Sequence, residues 1–543
     1  MKRLSTIYFE PLVAGCFYAW GFPLKGFPSF FLAPMLAIFL LCYRLTLLSP
    51  KVSERNWKKD LGRVLLFSLG AWLLGYSWIP ETLRIFGEII FPLNYLVGSL
   101  STVLILPQFF TFLILVAVLN ALHKRFGLKF FYHPILMALF FVFLEEFTPQ
   151  LFPTHLGHSW LQLAPYLGLA PYAGVPLFSF FSFWLIFEVM AMVREKKLFK
   201  SRLILVFSFF ALFILGNVLF PLKYTPTEGQ SLELRLAQVN IESYLKLASE
   251  KGSTKAVKEV FSKYVELSMS PRSKRMDLLI WPETAYPYTI DSKLWLDGKN
   301  LPPLFLQIGE YTRADMVWGG YEWGAPANPD DFETTYNSAI HFAHDPEKGM
   351  VFKGSYRKMR LIPFGETLPF GPLNPWLGEI IKNISYFKKG EKFELFTTKK
   401  DKTFISAICY EILFSSFVRD YLKSVSRPPH FLINLTNDSW YGDTNEPLQH
   451  LFLAKWRALE FDLPIVRSTN SGISAIIYPD GSEEARLPYG VKEKLDAELK
   501  LKDRTPTLYE RFGLMITIVV ALILFGLAIG LEKSLRAKGH ANE

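Results

Sequence analysis

Long apolar runs joined by short polar links occupy the chain up to about Pro221, and one more run extends from about Gly513 to Leu531. A bilayer core is crossed by roughly 17 to 25 apolar residues. That length divides the apolar parts into eight expected spans, at about 7–22, 30–48, 64–79, 97–119, 132–147, 174–193, 203–220 and 513–531. The run 85–91 reads as a segment lying along the interface. The first span is expected to stay in the chain, because no small-residue cleavage site follows it and a second span comes at once.

Between these apolar parts the pattern changes to short β-rich runs alternating with helical ones. Strands are expected at 234–239, 278–281, 316–319, 338–342, 404–409, 430–435 and 473–478, and helices at 253–269 and 446–460. Strand runs apolar on both faces, with helices between them, predict an α/β sandwich. The fold class is therefore an eight-span α-helical membrane domain plus a sandwich domain outside the membrane. The boundaries are 1–221 for spans one to seven, 222–510 for the globular domain, and 511–543 for the last span and its tail.

Charge changes this picture by giving it a direction. The chain carries a net +10, a surplus that might suggest nucleic acid. Its placement argues against that partner: Lys51, Arg55, Lys58, Lys59 and Arg63 follow span two, Lys124, Arg125 and Lys129 follow span four, and Arg194, Lys196, Lys197, Lys200 and Arg202 follow span six. The alternate loops hold little beyond Lys25 and Arg84. Basic loops stay in the cytoplasm, so the N-terminus is expected inside and the globular domain outside.

Three segments of that domain end a strand with a reactive side chain. Pro282 stops the first strand just before Glu283. The second segment, Tyr356–Glu366, offers Lys358 and then Glu366 beyond a Pro/Gly turn. The third ends at Cys409, one of three cysteines, the other two (Cys16 and Cys42) lying in apolar spans. A thiol needs a base or a positive neighbour to act as a nucleophile. A carboxylate can take its proton, and a lysine can neutralise an oxyanion. Taken singly, a buried cysteine is more often inert core, and sequence spacing does not bring the three together.

The motifs carry more. Trp281-Pro282-Glu283-Thr284-Ala285, Leu361-Ile362-Pro363-Phe364-Gly365-Glu366 and Cys409-Tyr410-Glu411 resemble the signatures of the nitrilase, or carbon–nitrogen hydrolase, superfamily. Together with the membrane spans they resemble its apolipoprotein N-acyltransferase family, as do Asn434–Gly442, Gln449-His450, Arg457–Glu460, Arg467–Gly472 and Pro479-Asp480-Gly481. Trp20-Gly21-Phe22-Pro23 and the loop around Phe152-Pro153 also fit. The resemblance implies a four-layer αββα sandwich with Glu283 as general base, Lys358 as oxyanion stabiliser and Cys409 as nucleophile. It implies Glu366 as the carboxylate orienting Lys358, with Tyr410 and Glu411 shaping the pocket. The implied reaction passes an acyl chain from a phospholipid, through a thioester, to the N-terminal amine of an apolipoprotein, the last step of bacterial lipoprotein maturation. The implied location is the bacterial inner membrane with the catalytic domain periplasmic, and the chain is expected to be a monomer needing no cofactor or metal. Where some relatives have a tryptophan in contact with substrate, this chain aligns Leu247.

After Glu366 comes a long apolar Pro/Gly-rich loop that includes Phe370, Trp376 and Tyr386. It is expected to form a lid dipping into the outer leaflet; packing on the core is the competing reading. His133, His155 and His158 fit no zinc spacing and are expected at the surface or in loops. Two other functions remain open from the residues alone, a membrane-tethered amidase and a transporter with a ligand-binding outer domain. The spans lack the interrupted polar segments of a transporter.

Overall fold

The computed structural model describes every residue except 1, 50–51, 86, 128–129, 195–198, 251, 296–300, 302, 325–333, 375, 378–384 and 542–543. The chain forms two compact units. One comprises Met1–Pro80, Pro92–Leu222 and Thr507–Glu543, and the other Glu81–Phe91 and Lys223–Pro506.

The first unit is helical. Among the described residues, four helices are long and apolar enough to cross a membrane: Pro107–Phe126, Ala170–Arg194, Arg202–Leu219 and Met515–Ser534. A fifth span is obtained if Trp57–Gly75 and Ile79–Ile85, bent by 64°, are taken together. The expected run at 97–119 is divided instead into Leu93–Leu100, Thr102–Ile105 and Pro107–Phe126. Pro107 explains the second of these breaks, since proline is well placed at a helix start and disruptive inside one. Ala33–Arg44 and Pro134–Phe147 have 12 and 14 residues, short of the roughly 20 that a perpendicular crossing needs.

Most of these helices expose apolar faces, as at Ile114, Ile204, Phe207, Leu212 and Ile523. Ala170–Arg194 is the exception and is largely buried. It kinks at Gly174, whose φ is +61° and whose absent Cβ leaves room for the Tyr509 ring. A train of rings, Tyr18, Phe67, Phe109, Phe141 and Phe183, fills the interior. Two of the carboxylates left inside find partners: Asp60 accepts from the backbone of Thr46 and Leu47, and Glu145 from Leu156 N–H at 2.7 Å. His158 is buried rather than superficial, its Nδ1 accepting from His155 N–H.

The second unit holds thirteen strands among the described residues: β1 (Ser231–Gln238), β2 (Leu278–Ile280), β3 (Tyr286–Ile290), β4 (Asp315–Trp323), β5 (Thr335–Asp345), β6 (Gly349–Arg357), β7 (Phe396–Thr397), β8 (Thr403–Ile408), β9 (Phe431–Thr436), β10 (Ile465–Thr469), β11 (Ser474–Ile477), β12 (Glu483–Leu487) and β13 (Glu493–Lys500). One sheet runs β13-β1-β2-β4-β5-β6 with β3 beside β4, and the other runs β12-β11-β10-β9-β8-β7. The inner strands β2, β8 and β9 are wholly buried and mostly apolar, as strands covered on both faces tend to be.

Helices Thr254–Met269 and Pro303–Thr312 cover the outer face of the first sheet. There Tyr264, Trp281, Phe305, Trp318 and Phe342 stack into one core. Helices Ser415–Ser424 and Glu446–Phe461 cover the second sheet. Between the sheets, His341 of β5 meets Phe404 of β8, and Gln238 of β1 binds Ser474 of β11. The layers are therefore helix, sheet, sheet, helix.

Candidate active site

Glu283, Lys358 and Cys409 each stand just past the C-terminal end of a strand: β2, β6 and β8. Parallel pairing of β2 with β1 and β4, and of β8 with β9, brings such ends to one edge of each sheet. The three residues converge there. Lys358 Nζ donates to Glu283 Oε1 at 3.2 Å and to Glu366 Oε1 at 2.7 Å. Glu283 Oε2 accepts from Asn437 N–H at 2.9 Å, and its Oε1 from Asn337 Nδ2 at 2.8 Å. Glu366 Oε2 accepts from Ile362 N–H, which fixes the carboxylate in its own turn. All of these side chains are buried.

The approach of Glu283 depends on a glycine. A Cβ on Gly319 of β4 would lie 2.6 Å from Glu283 Cα and from Pro282 O. Both Thr284 (φ +46°) and Cys409 (φ +48°) adopt the left-handed backbone region. For non-glycine residues this costs on the order of 1–3 kcal/mol, and such strain gathers at functional sites.

Charge within the site follows from burial and proximity. Burial works to lower the Lys358 pKa, but the carboxylates of Glu283 and Glu366, and the Cys409 position, outweigh it and hold the ammonium charged. Burial pushes the Cys409 thiol well above its usual range. Glu283 adds to that rise and Lys358 opposes it. At neutral pH the resting sulfur is therefore a thiol, and its reactivity depends on a base taking the proton. The site can remove a proton at Glu283, form a covalent bond at Cys409, and steady negative charge on a substrate oxygen beside Lys358.

Glu411 ties the pieces together. Its Oε1 accepts from Tyr356 Oη and from the backbone N–H of Met359 and Arg360, and its Oε2 from Ile408 N–H. One carboxylate thus joins the chain on both sides of Lys358 to the residue before Cys409. Burial pushes its pKa up to about 7 against the pull of those donors and of Lys358. Tyr410 is buried with its ring edge-on to Phe414. Phe370 and Trp376 are 46% and 61% exposed, whereas Tyr386 is half-buried. The apolar loop also includes 375 and 378–384, which lie outside the described residues.

Sequence reasoning assigned no role to Asn337, which links Glu283 to Glu366 (3.3 Å to Glu366 Oε1) and whose carbonyl accepts from Lys358 N–H at 2.8 Å. Nor did it assign a role to the buried set of Asp438, His450 and Arg467 behind Cys409, whose residues it met only as motif letters.

A four-layer sandwich with a glutamate, a lysine and a cysteine at its strand ends defines a carbon–nitrogen hydrolase domain, and the model of the family described as "Carbon-nitrogen hydrolase" matches residues 234–509. The model described as "Apolipoprotein N-acyltransferase N-terminal domain" matches residues 14–187. The apolipoprotein N-acyltransferase of Bdellovibrio bacteriovorus is 31% identical over 84% of this chain and 83% of its own length. That of Haemophilus ducreyi is 28% identical over 87% and 88%. The chain belongs to the apolipoprotein N-acyltransferase family. Among solved structures, Nit3 of Saccharomyces cerevisiae, a nitrilase-superfamily member, is similar at 17% identity and a TM-score of 0.33, covering 51% of this chain and 93% of that one.

Proposed function

We propose that this protein transfers a fatty acyl chain from a phospholipid to the α-amine of the diacylglyceryl-cysteine that begins an apolipoprotein. The observation that carries this reading is the Glu283–Lys358–Glu366 network beside Cys409, in a chain similar to named N-acyltransferases along most of its length. In the first half-reaction Glu283 takes the Cys409 proton as the sulfur attacks the ester carbonyl. The oxyanion forms beside Lys358. Its collapse breaks the ester C–O bond, and Glu283 returns the proton to the departing lysophospholipid alkoxide. In the second half-reaction the lipoprotein amine attacks the thioester, Glu283 accepts the amine proton, and the C–S bond breaks to leave an amide and regenerate the thiol. The kinetics are ping-pong.

Glu283 serves as the base, Lys358 as the oxyanion partner, and Glu366 as the group that orients Lys358. Tyr410 and Glu411 shape the pocket. The loop bearing Phe370, Trp376 and Tyr386 acts as a lid toward the lipid, a reading supported by the exposed rings of Phe370 and Trp376. The chain works as a monomer in a bacterial inner membrane, with eight spans drawn from 1–221 and 511–543 and residues 222–510 on the periplasmic side. The charge of the loops supports that orientation.

The test is incubation of the full-length protein with phospholipid, followed by mass spectrometry of the Cys409 peptide. An acyl thioester is expected, discharged by a diacylglyceryl lipopeptide to give the N-acylated product. Acylating protein that never carries acyl on Cys409 would overturn the mechanism. Discharge to water alone would favour a tethered amidase.

A further inference from the structure

Cys409 is gripped from behind. Its carbonyl oxygen lies 3.2 Å from His450 Nε2, and the other ring nitrogen, Nδ1, lies 3.2 Å from Asp438 Oδ1 and 3.3 Å from Glu446 Oε1. The Cys409 carbonyl can only accept, and so can Asp438, whose carboxyl Arg467 and His450 hold below its usual range against burial; Glu446 is the third neighbour, its carboxyl pushed up to about 7 by burial and by Asp438. A neutral imidazole has one N–H and one lone pair, so in this setting it would point the lone pair at another lone pair. Only the doubly protonated ring satisfies both sides.

Arg467 completes the set. Its guanidinium donates to Asp438 Oδ2 at 2.8 Å and to Asn434 Oδ1 at 2.6 Å. Asp438, Glu446, His450 and Arg467 are all buried. Asp438, Glu446 and His450 each bring a ligand atom within 4.8 Å of the others, but Arg467 already occupies the other oxygen of Asp438.

We propose that His450 is a positioning residue held as an imidazolium, which pins the left-handed backbone of Cys409 through its carbonyl and places a buried positive charge behind the nucleophile. The N–H to the carbonyl fixes a conformation that a non-glycine residue otherwise disfavours. The charge favours the thiolate that forms as Glu283 takes the proton, opposing Asp438, which works to raise the thiol pKa. The proton on His450 is retained despite burial and the repulsion of Arg467, because Asp438 and Glu446 hold it. Its pKa is raised, so the charge is present below about 6.5 and is lost as pH climbs through the higher folded value. The groups facing the ring are Asp438 from the turn after β9, Glu446 from its own helix, Arg467 from β10, and Cys409 itself. The phenols of Tyr441 and Tyr489 also feel Glu446 and Asp438.

The inference rests on Cys409 being the nucleophile, and its test needs no acyl transfer, so the two readings can fail separately. Full-length protein in detergent, with ¹⁵N-labelled histidine, is followed by NMR across pH. The His450 signal is assigned as the one that shifts most in Glu446→Gln. Two protonated ring nitrogens are expected at pH 7, and a bare nitrogen there overturns the proposal. In parallel, iodoacetamide labelling of Cys409 is measured against pH in wild type and His450→Gln, with thermal denaturation reporting folding. The variant is expected to label roughly tenfold more slowly, as for a thiol pKa raised by about one unit. A folded variant with an unchanged labelling profile, or stoichiometric zinc in the purified wild type, overturns it. If His450→Gln does not fold, the NMR result decides.

Discussion

At the residue scale, the site resolves a conflict between burial and charge. A lysine ammonium with no exposed surface persists because Glu283 and Glu366 flank it, at 3.2 and 2.7 Å. Removing one member of a buried charged set leaves the rest uncompensated. Lys358→Ala is expected to lower acyl transfer by about 10²–10³ while leaving two facing carboxylates without their cation. Glu366→Ala should impair transfer without abolishing it, because Glu283 still holds Lys358. Cys409→Ala and Cys409→Ser should both abolish it. Steady-state assays with a fluorescent lipopeptide check all four, and wild-type turnover by Cys409→Ala would remove the nucleophile from the mechanism. These three principal residues were legible in the sequence as motif members. Asn337 was not, because an amide between two carboxylates becomes meaningful only when β5 lies beside β4 and the end of β6.

At the scale of elements, strands that are buried on both faces announce themselves as apolar runs, so β2, β8 and β9 could be read directly. The partly exposed β12 and β13 could not: Glu483–Leu487 and Glu493–Lys500 alternate with charge on their open positions, which on composition resembles a loop. Charged edges are how sheets avoid pairing with other chains. The short helices Ser243–Glu250 and Ser415–Ser424, of 8 and 10 residues, were missed because so few turns carry too little periodicity. Element packing also gives a sharp prediction. A methyl group on Gly319 would press on the backbone of Pro282 and Glu283 at 2.6 Å, so Gly319→Ala should cost about 1–3 kcal/mol of stability and lower turnover by displacing Glu283. Denaturation and activity measured on the same sample test this, and an unshifted melt with full activity would show that β2 and β4 can part without consequence.

For the whole molecule, the chain divides its labour between an apolar helical unit and a mixed sandwich. Both proposed substrates are anchored in a membrane, which fits a catalytic unit carried on a chain with membrane-capable helices. The orientation argued from basic loops predicts that protease added to intact spheroplasts cuts within residues 223–506 and spares the basic loops of the helical unit. Cleavage only after lysis would reverse the topology.

The sequence by itself determined the division into apolar and mixed stretches, most of the buried strands, and the motifs that hold Glu283, Lys358, Glu366 and Cys409, because hydrophobic length, periodicity and short motifs are local properties of the chain. Only the tertiary structure decided that these residues meet, that Glu411 binds both sides of the lysine turn to the cysteine turn, and that His450 reaches the Cys409 carbonyl from 41 positions away. It also showed that Pro107 divides a run that hydropathy alone reads as one span. Such relations depend on strand register and on what each buried polar atom must find as a partner, and no local pattern records either.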